Sequence, residues 1–371
     1  MKTSRISVLL LISVLDYATV AAADTKAYIY VANNTVSGTV SVIDAATNSV
    51  AATLSVESQP TRLSSSLDGK RVYVSNERSN SLSVIDTQTA TVIATVPVGS
   101  GPGYSTVTPD GAEVYVSNTG DNTVSVIETA GNTVIATLPV AIHPRYPTPS
   151  LDGKFVYVAG RDDTKVSVIE VASHSVVGTI EVGASPAGMV IAPDNTRVYV
   201  CIRDANLLGT INIATQTLIA TTPVGNSPNH ADVLPDGSQL YVVNRVDGTV
   251  SIVDTTSIDA TSAHPVLATV SVGSLPWQIA FSSDGTKAYT SPSGSNTTAV
   301  IDAASRTVTS IPVGTGPYWT DLTSDGAHAY VTLPPEGAVS IIDLVTEQVE
   351  ATVSTGRNAW TILVVNVPVS D

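Results

Sequence analysis

Short runs of Val, Ile, Thr and Tyr alternate along the chain with breaks rich in Asp, Gly, Asn and Pro. The stretch from Pro60 to Gly99 shows the pattern once through. It holds four apolar-polar runs: Thr61 to Ser66, Arg71 to Ser75, Leu82 to Asp86 and Thr91 to Val98. Runs of this length, rich in β-branched and aromatic residues and bounded by turn formers, predict four antiparallel strands. Asp68-Gly69 between the first two suits a tight hairpin, because Gly and to a lesser extent Asp accept a positive φ.

The unit recurs. Its Asp-Gly turn returns at Asp68, Asp110, Asp152, Asp194 (followed by Asn195), Asp236, Asp284 and Asp325, at spacings of 42, 42, 42, 42, 48 and 41. Four strands repeating about every 42 residues are the signature of a β-propeller. The longer spacing comes from extra residues between Asp254 and Val266, on the face away from the loops discussed below, and this insertion is expected to be dispensable. The Val-Tyr-Val run of the second strand occurs eight times, first at Tyr28 and last at Ala329, yet there are only seven Asp-Gly turns. The first unit lacks its opening strand, and the end of the chain has a spare one, Ala359 to Val365. The prediction is an all-β fold, an eight-bladed propeller of four-stranded antiparallel blades, in which the terminal strands share one blade. Seven blades is the alternative.

Val72-Tyr-Val-Ser-Asn76 and Val114-Tyr-Val-Ser-Asn118 resemble the YVTN family of β-propeller repeats, and the resemblance runs from about Ala27 to Val367. It implies an extracytoplasmic propeller. The functions it brings with it are mixed: surface-layer proteins, lactonase-like hydrolases, and secreted fungal propellers that act as dehydrating cyclases of hetero-Diels–Alder type in natural-product pathways.

Ahead of the repeats, Lys2 and Arg5 precede an apolar run from Ile6 to Leu15, and Ala21-Ala22-Ala23 offers a small-residue cleavage site. Residues 1–23 therefore read as a signal peptide and 24–371 as one secreted propeller domain. A net charge of -15 argues against nucleic acid and anionic membranes as partners. A monomer acting on a small molecule is expected. The single cysteine, Cys201, cannot form an internal disulfide, so the ring must close by strand pairing. Asn33 and Asn296 begin glycosylation sequons.

Scaffold positions repeat, so chemistry is sought where the copies disagree. Strand order places the start of each innermost strand around the mouth of the central channel. The residues two past the proline position are Arg62, Tyr104, Tyr146, Gly188, His230, Gln278, Trp319 and Trp360. Strict alternation puts residues two further along, including Asp232 and Asp321, on the same face. Trp277 and Tyr318 lie beside this ring, and Arg78, Arg161, Arg203 and Arg245 come from loops on the same side. Blade packing does not require such a mixture, and aromatic walls with a few polar groups suit a small-molecule pocket. The same side chains could instead plug a wide channel.

His230, Asp232 and Asp321 are the candidate general acid–base set, with Arg62 polarising an oxygen. Tyr104, Tyr146, Trp277, Gln278, Tyr318, Trp319 and Trp360, with Arg161, Arg203 and Arg245, are the candidate substrate contacts. No histidine or cysteine spacing suits zinc. Asp232 and Asp321 alone make a meagre calcium site, and no metal or cofactor is expected. Non-redox dehydration or cyclisation of a conjugated, oxygenated molecule is one reading. A metal-dependent lactonase-like hydrolase and a non-enzymatic interaction propeller are the others.

Overall fold

The computed structural model describes residues 25–258 and 263–369. They form eight four-stranded antiparallel sheets arranged as a ring, which excludes seven blades. The candidate signal peptide lies outside the described residues. In each of seven blades the chain runs from the innermost strand outward, as in Pro60–Ser65, Arg71–Asn76, Ser81–Asp86 and Thr91–Pro97. The first blade differs. It takes Thr25–Asn33, Thr39–Asp44 and Ser49–Ser55 from the start of the chain and its inner strand, Ala359–Pro368, from the end. The register runs from Thr25 opposite Pro368 to Asn33 opposite Ala359. The spare strand is therefore where the turn count put it, three residues longer than expected.

The middle strands of each blade are buried on both faces because blades stack on one another. Val72, Val74 and Ile85 of one blade share an apolar cluster with Tyr30, Val40 and Val42 of its neighbour. The tyrosines at the centres of the second strands, Tyr30, Tyr73, Tyr115, Tyr157, Tyr199, Tyr241, Tyr289 and Tyr330, are among the largest fully buried side chains. Cys201 is buried among them, and burial pushes its thiol pKa upward. Apolar side chains on the outer strands are partly exposed, as at Ile93 and Val134.

The last residue of the YVSN motif has a specific task. Asn118 Nδ2 donates to Thr123 Oγ1 and Ser125 Oγ, both at 2.9 Å, tying the second strand to the third. Asn33, Asn76 and Asn244 do the same in their blades. The glycine that ends the preceding blade packs on this amide. A Cβ on Gly99 would lie 2.5 Å from Asn118 Nδ2, and one on Gly356 would lie 2.7 Å from Asn33 Nδ2. The Val-Gly ending and the YVSN motif are thus two halves of one blade-to-blade contact. The same contact overturns one expectation: Asn33 is fully buried, so its sequon presents no accessible acceptor.

The insertion is also more than a surface loop. His264 is 2% exposed, and its ring nitrogens meet Ser257 O at 2.7 Å and Thr210 Oγ1 at 3.1 Å. Its backbone N–H donates to Thr222 Oγ1, so the segment clasps the preceding blade. Residues 259–262 of the insertion lie outside the described residues.

Two stability predictions follow from these contacts. Truncation after Ser354 leaves Thr25–Asn33 without its inner partner and strands a row of buried backbone groups. It should lower stability by several kcal/mol or abolish folding, read as a large drop in melting temperature; unchanged melting would contradict the closure. His264→Ala should cost about 1–3 kcal/mol by leaving the buried Thr210 hydroxyl without its partner. Denaturant titration would check this, and an effect near zero would restore the view of the insertion as dispensable.

Candidate functional site

The inner strands do not keep strict alternation at the mouth. Register shifts occur near the start of seven of them, between Pro60 and Arg62, Pro102 and Ser105, Arg145 and Thr148, Pro186 and Met189, Pro228 and His230, Pro276 and Ile279, and Ala359 and Thr361. In another blade the ladder proper is only Thr320–Leu322, with Pro317 to Trp319 bending ahead of it. A bulge adds a residue on one side of the ladder and re-aims the side chains around it. Here it lets two consecutive residues face the opening: Thr61 with Arg62, Gly103 with Tyr104, and Arg145 with Tyr146. Arg145 and Asn229 line the mouth for this reason, and alternation alone misses them.

The cavity at the mouth has a volume of about 220 Å³, and all eight blades contribute to its wall. This lies below the ~300–1,000 Å³ usual for drug-sized ligands, so it suits a molecule of one or two rings. One wall is aromatic. Tyr318 lies with its ring centroid 5.0 Å from Trp277 and 4.4 Å from Trp360. Opposite stand Tyr104 and Tyr146, with ring centroids 4.1 Å apart and hydroxyls 3.0 Å apart. Tyr146 has a φ of 49°, a conformation costly for a bulky side chain and one that collects at functional sites.

Arg62 closes the neck of the channel. Its guanidinium carbon lies 4.4 Å from the centroid of Trp319 and 4.7 Å from that of Tyr104. Nη2 donates to the Tyr104 hydroxyl at 2.9 Å and to the Tyr318 hydroxyl at 3.5 Å. Nη1 is buried without a partner. Burial works to raise the Tyr104 phenol, but the charges of Arg62 and Arg145 and its hydrogen bonds with Tyr146 and Arg62 outweigh it. The Tyr104 pKa falls below the ordinary phenol value. Tyr146 moves the other way, well above it, from burial first and then from Tyr104.

The remaining candidates divide. Trp319 sits behind Arg62, and the His230 ring meets it edge-on with centroids 6.3 Å apart. His230 Nδ1 is buried and unpartnered, and burial followed by the Arg62 charge lowers its pKa to about 4, so it is neutral. Asp232 and Asp321 lie further along their strands. Each keeps a little surface on the narrow channel, but protein surrounds it. Burial raises Asp232 to about 7 and Asp321 to about 6. Asp321 bridges two blades, accepting from Val364 N at 2.8 Å and Leu322 N at 2.9 Å. No hydrogen bond joins His230 to either aspartate among the described residues.

Gln278 is likewise engaged between blades, its Oε1 accepting from Thr320 N at 3.1 Å. Arg161 lines the cavity, Arg245 stacks 4.0 Å over the Trp277 ring, and Arg203 Nε donates to Ser227 Oγ at 3.1 Å. Arg62 and its aromatic neighbours fill the neck, and a cavity lined by Tyr104, Tyr146 and Tyr318 lies above it. Among the described residues, no three His, Cys, Asp or Glu side chains gather into a metal-binding cluster.

Residues 97–197 match the family model of the YNCE-like beta-propeller. Among solved structures the chain is similar to the dihydro-heme d1 dehydrogenase NirN in complex with DHE. The TM-score is 0.74 at 16% identity, covering 91% of this chain and 74% of that one. It is also similar to Kuenenia stuttgartiensis hydrazine synthase, with a TM-score of 0.59 at 24% identity over 72% of this chain and 90% of that one. A candidate 6-phosphogluconolactonase from Bacteroides uniformis gives 0.62 at 16% identity over 92% and 100%. Identities this low establish a shared fold and nothing more. No curated protein matches the chain.

The aspartate environment yields a pH prediction. Asp232 moves from its ordinary 3.8 to about 7, so the folded protein holds this proton more tightly than the unfolded chain. Its contribution to stability is full below about pH 4 and is lost as pH rises toward 7. Asp232→Asn should therefore stabilise the protein by about 1–3 kcal/mol at pH 8 and change little at pH 4. Melting curves at both pH values test this. Equal effects at the two would show that burial does not set the titration.

Proposed function

This chain is a β-propeller of the YVTN type, and on that premise we propose that its channel mouth binds a conjugated, oxygenated small molecule and performs non-redox acid–base chemistry on it. The observation that carries the reading is the Arg62–Tyr104–Tyr146 cluster lining the same cavity as the Trp277–Tyr318–Trp360 wall. A flat substrate stacks on the wall. An oxygen of the substrate approaches the Arg62 guanidinium, whose charge draws electron density toward it.

The proton donor in this reading is Tyr104. Its phenol is acidified by Arg62 and Arg145, and those charges stabilise the phenolate left behind. In a dehydration, the carbon–oxygen bond of a substrate hydroxyl breaks as the oxygen takes the Tyr104 proton. The phenolate then takes a proton from the adjacent carbon, and the net change is loss of water. The role first given to His230, Asp232 and Asp321 passes to Tyr104, because those three sit behind Arg62. Cyclisation of the dehydrated, conjugated product on the aromatic wall needs no further group.

The proposal includes export with removal of residues 1–23 and action as a monomer outside the cytoplasm. The filled neck favours a second reading, ligand binding without turnover, and one experiment separates the two. A panel of conjugated oxygenated compounds is screened by tryptophan fluorescence, then ligands are tested for turnover. Tyr104→Phe should cut turnover by about 10²–10⁴-fold with little change in affinity. Trp360→Ala should weaken binding by roughly 1 kcal/mol. Lys70→Ala, in a salt bridge with Asp68 on the opposite face, should do neither. Binding with no turnover of any ligand would establish the second reading. Collapse of turnover in His230→Ala but not in Tyr104→Phe would return the chemistry to the deeper residues. If no compound perturbs the fluorescence, the mouth is not a small-molecule site.

A further inference from the structure

The mouth gathers positive charge that the protein does not neutralise. The whole chain has 17 lysines and arginines and a net charge of -15, yet five arginines converge here. They are Arg62 at the neck, Arg145 and Arg161 on the cavity wall, Arg245 over Trp277, and Arg203 between the last two.

Their carboxylate partners are few. Arg203 Nε lies 4.0 Å from an exposed Asp204, the only salt bridge any of the five makes among the described residues. Asp162 attracts Arg161 but is itself 2.8 Å from His143 Nδ1. Among the described residues, Glu77 is the only carboxylate lining the cavity. Meanwhile the arginines act on one another. Burial lowers the Arg161 pKa first, and the charges of Arg145 and Arg203 lower it further; Arg245 is lowered by burial and then by Arg203. Nη1 of Arg62 and Nε of both Arg145 and Arg245 are buried without any acceptor. Buried donors are nearly always paired in a completed structure, and like charges repel unless an anion lies between them. An anion over the cavity-lining guanidinium groups of Arg62, Arg145 and Arg161 would relieve that repulsion.

We propose that this arginine ring holds a polycarboxylate: a flat, conjugated acid bearing two or more carboxylate groups, with its ring on the aromatic wall. Guanidinium forks match carboxylates in bidentate geometry, which favours arginine over lysine at such positions. The inference rests on the mouth being the binding site and specifies the class of molecule bound there. The cavity size limits the conjugated core to one or two rings, with the carboxylates reaching outward to Arg161, Arg203 and Arg245.

The test uses the full propeller and three single-ring probes of graded charge: benzene-1,2,4,5-tetracarboxylate, benzoate and neutral benzamide. Binding is measured by calorimetry at low and high salt. The tetracarboxylate should bind at least about 10-fold more tightly than benzoate and lose most of that advantage at high salt, as charge-driven binding does. Arg161→Gln and Arg145→Gln should each weaken the tetracarboxylate about 10-fold and leave benzamide unchanged. The same substitutions should raise the melting temperature of the ligand-free protein, because they relieve repulsion. That readout is independent of any ligand and shows at once whether a variant folds.

Equal affinity for tetracarboxylate and benzamide would overturn the inference while leaving the mouth as a site for neutral conjugated molecules. Absence of binding by all three probes would overturn the inference and count against the mouth as a small-molecule site. Lower melting temperatures in both variants would show that the arginines are compensated within the protein, and would equally overturn it.

Discussion

The pairing of Thr25–Asn33 with Ala359–Pro368 is the contact on which the rest of the ring depends. Each blade buries its middle strands only because another blade covers each face, so the stacking has no natural end until the ring closes. One strand from the far end of the chain closes it. Neighbouring bonds reinforce the seam: Asp321 holds Val364 N, Thr361 Oγ1 donates to Thr61 O, and Asn358 Nδ2 donates to Asn34 O. With Cys201 the single cysteine, no disulfide is available, and the seam is held by these side-chain bonds, the backbone ladder and burial.

Closure also creates the site. Eight inner strands begin at one rim, and whatever stands at their first few positions must share a single axis. Bulges there bring two consecutive residues to the rim in three of the blades, which gives the mouth more side chains than a regular ladder would. The outcome is crowded: a guanidinium lies between Trp319 and Tyr104, and a tyrosine sits at positive φ. Arginines with unpaired donors surround them. The positive φ and the unpaired donors cost stability, and none of these features is needed to pack a blade. Local costs of this kind are tolerated when the surrounding scaffold is over-determined, as a ring of eight interlocked blades is.

Much of this was legible along the chain. Strand positions, turn positions, the blade count and the sharing of the first blade all follow from alternation and turn chemistry that act within about 40 residues. The mouth positions could be found because the copies differ there. The sequence by itself also separated turn aspartates such as Asp86 and Asp254, whose carboxylates accept from backbone amides just downstream, from the unrepeated Asp232 and Asp321.

What the chain's pattern did not decide was depth and partnership around the axis. Alternation grouped His230 with Asp232 and Asp321, but a bulge begins the strand of His230, and Asp321 spends its carboxylate on the seam. It grouped Gln278 with the substrate contacts, whereas that amide joins two inner strands. It passed over Arg145, which belongs with Tyr104 and Tyr146. Within a blade, strand order and facing are local properties that hydrogen bonding and side-chain type can encode. At the channel mouth, residues some 42 positions apart compete for one small volume, and their arrangement depends on the length, charge and shape of all the others at once. That competition exists only after the ring has closed, so the tertiary structure alone placed Arg62 in the neck and left a cavity lined by Tyr104 above it.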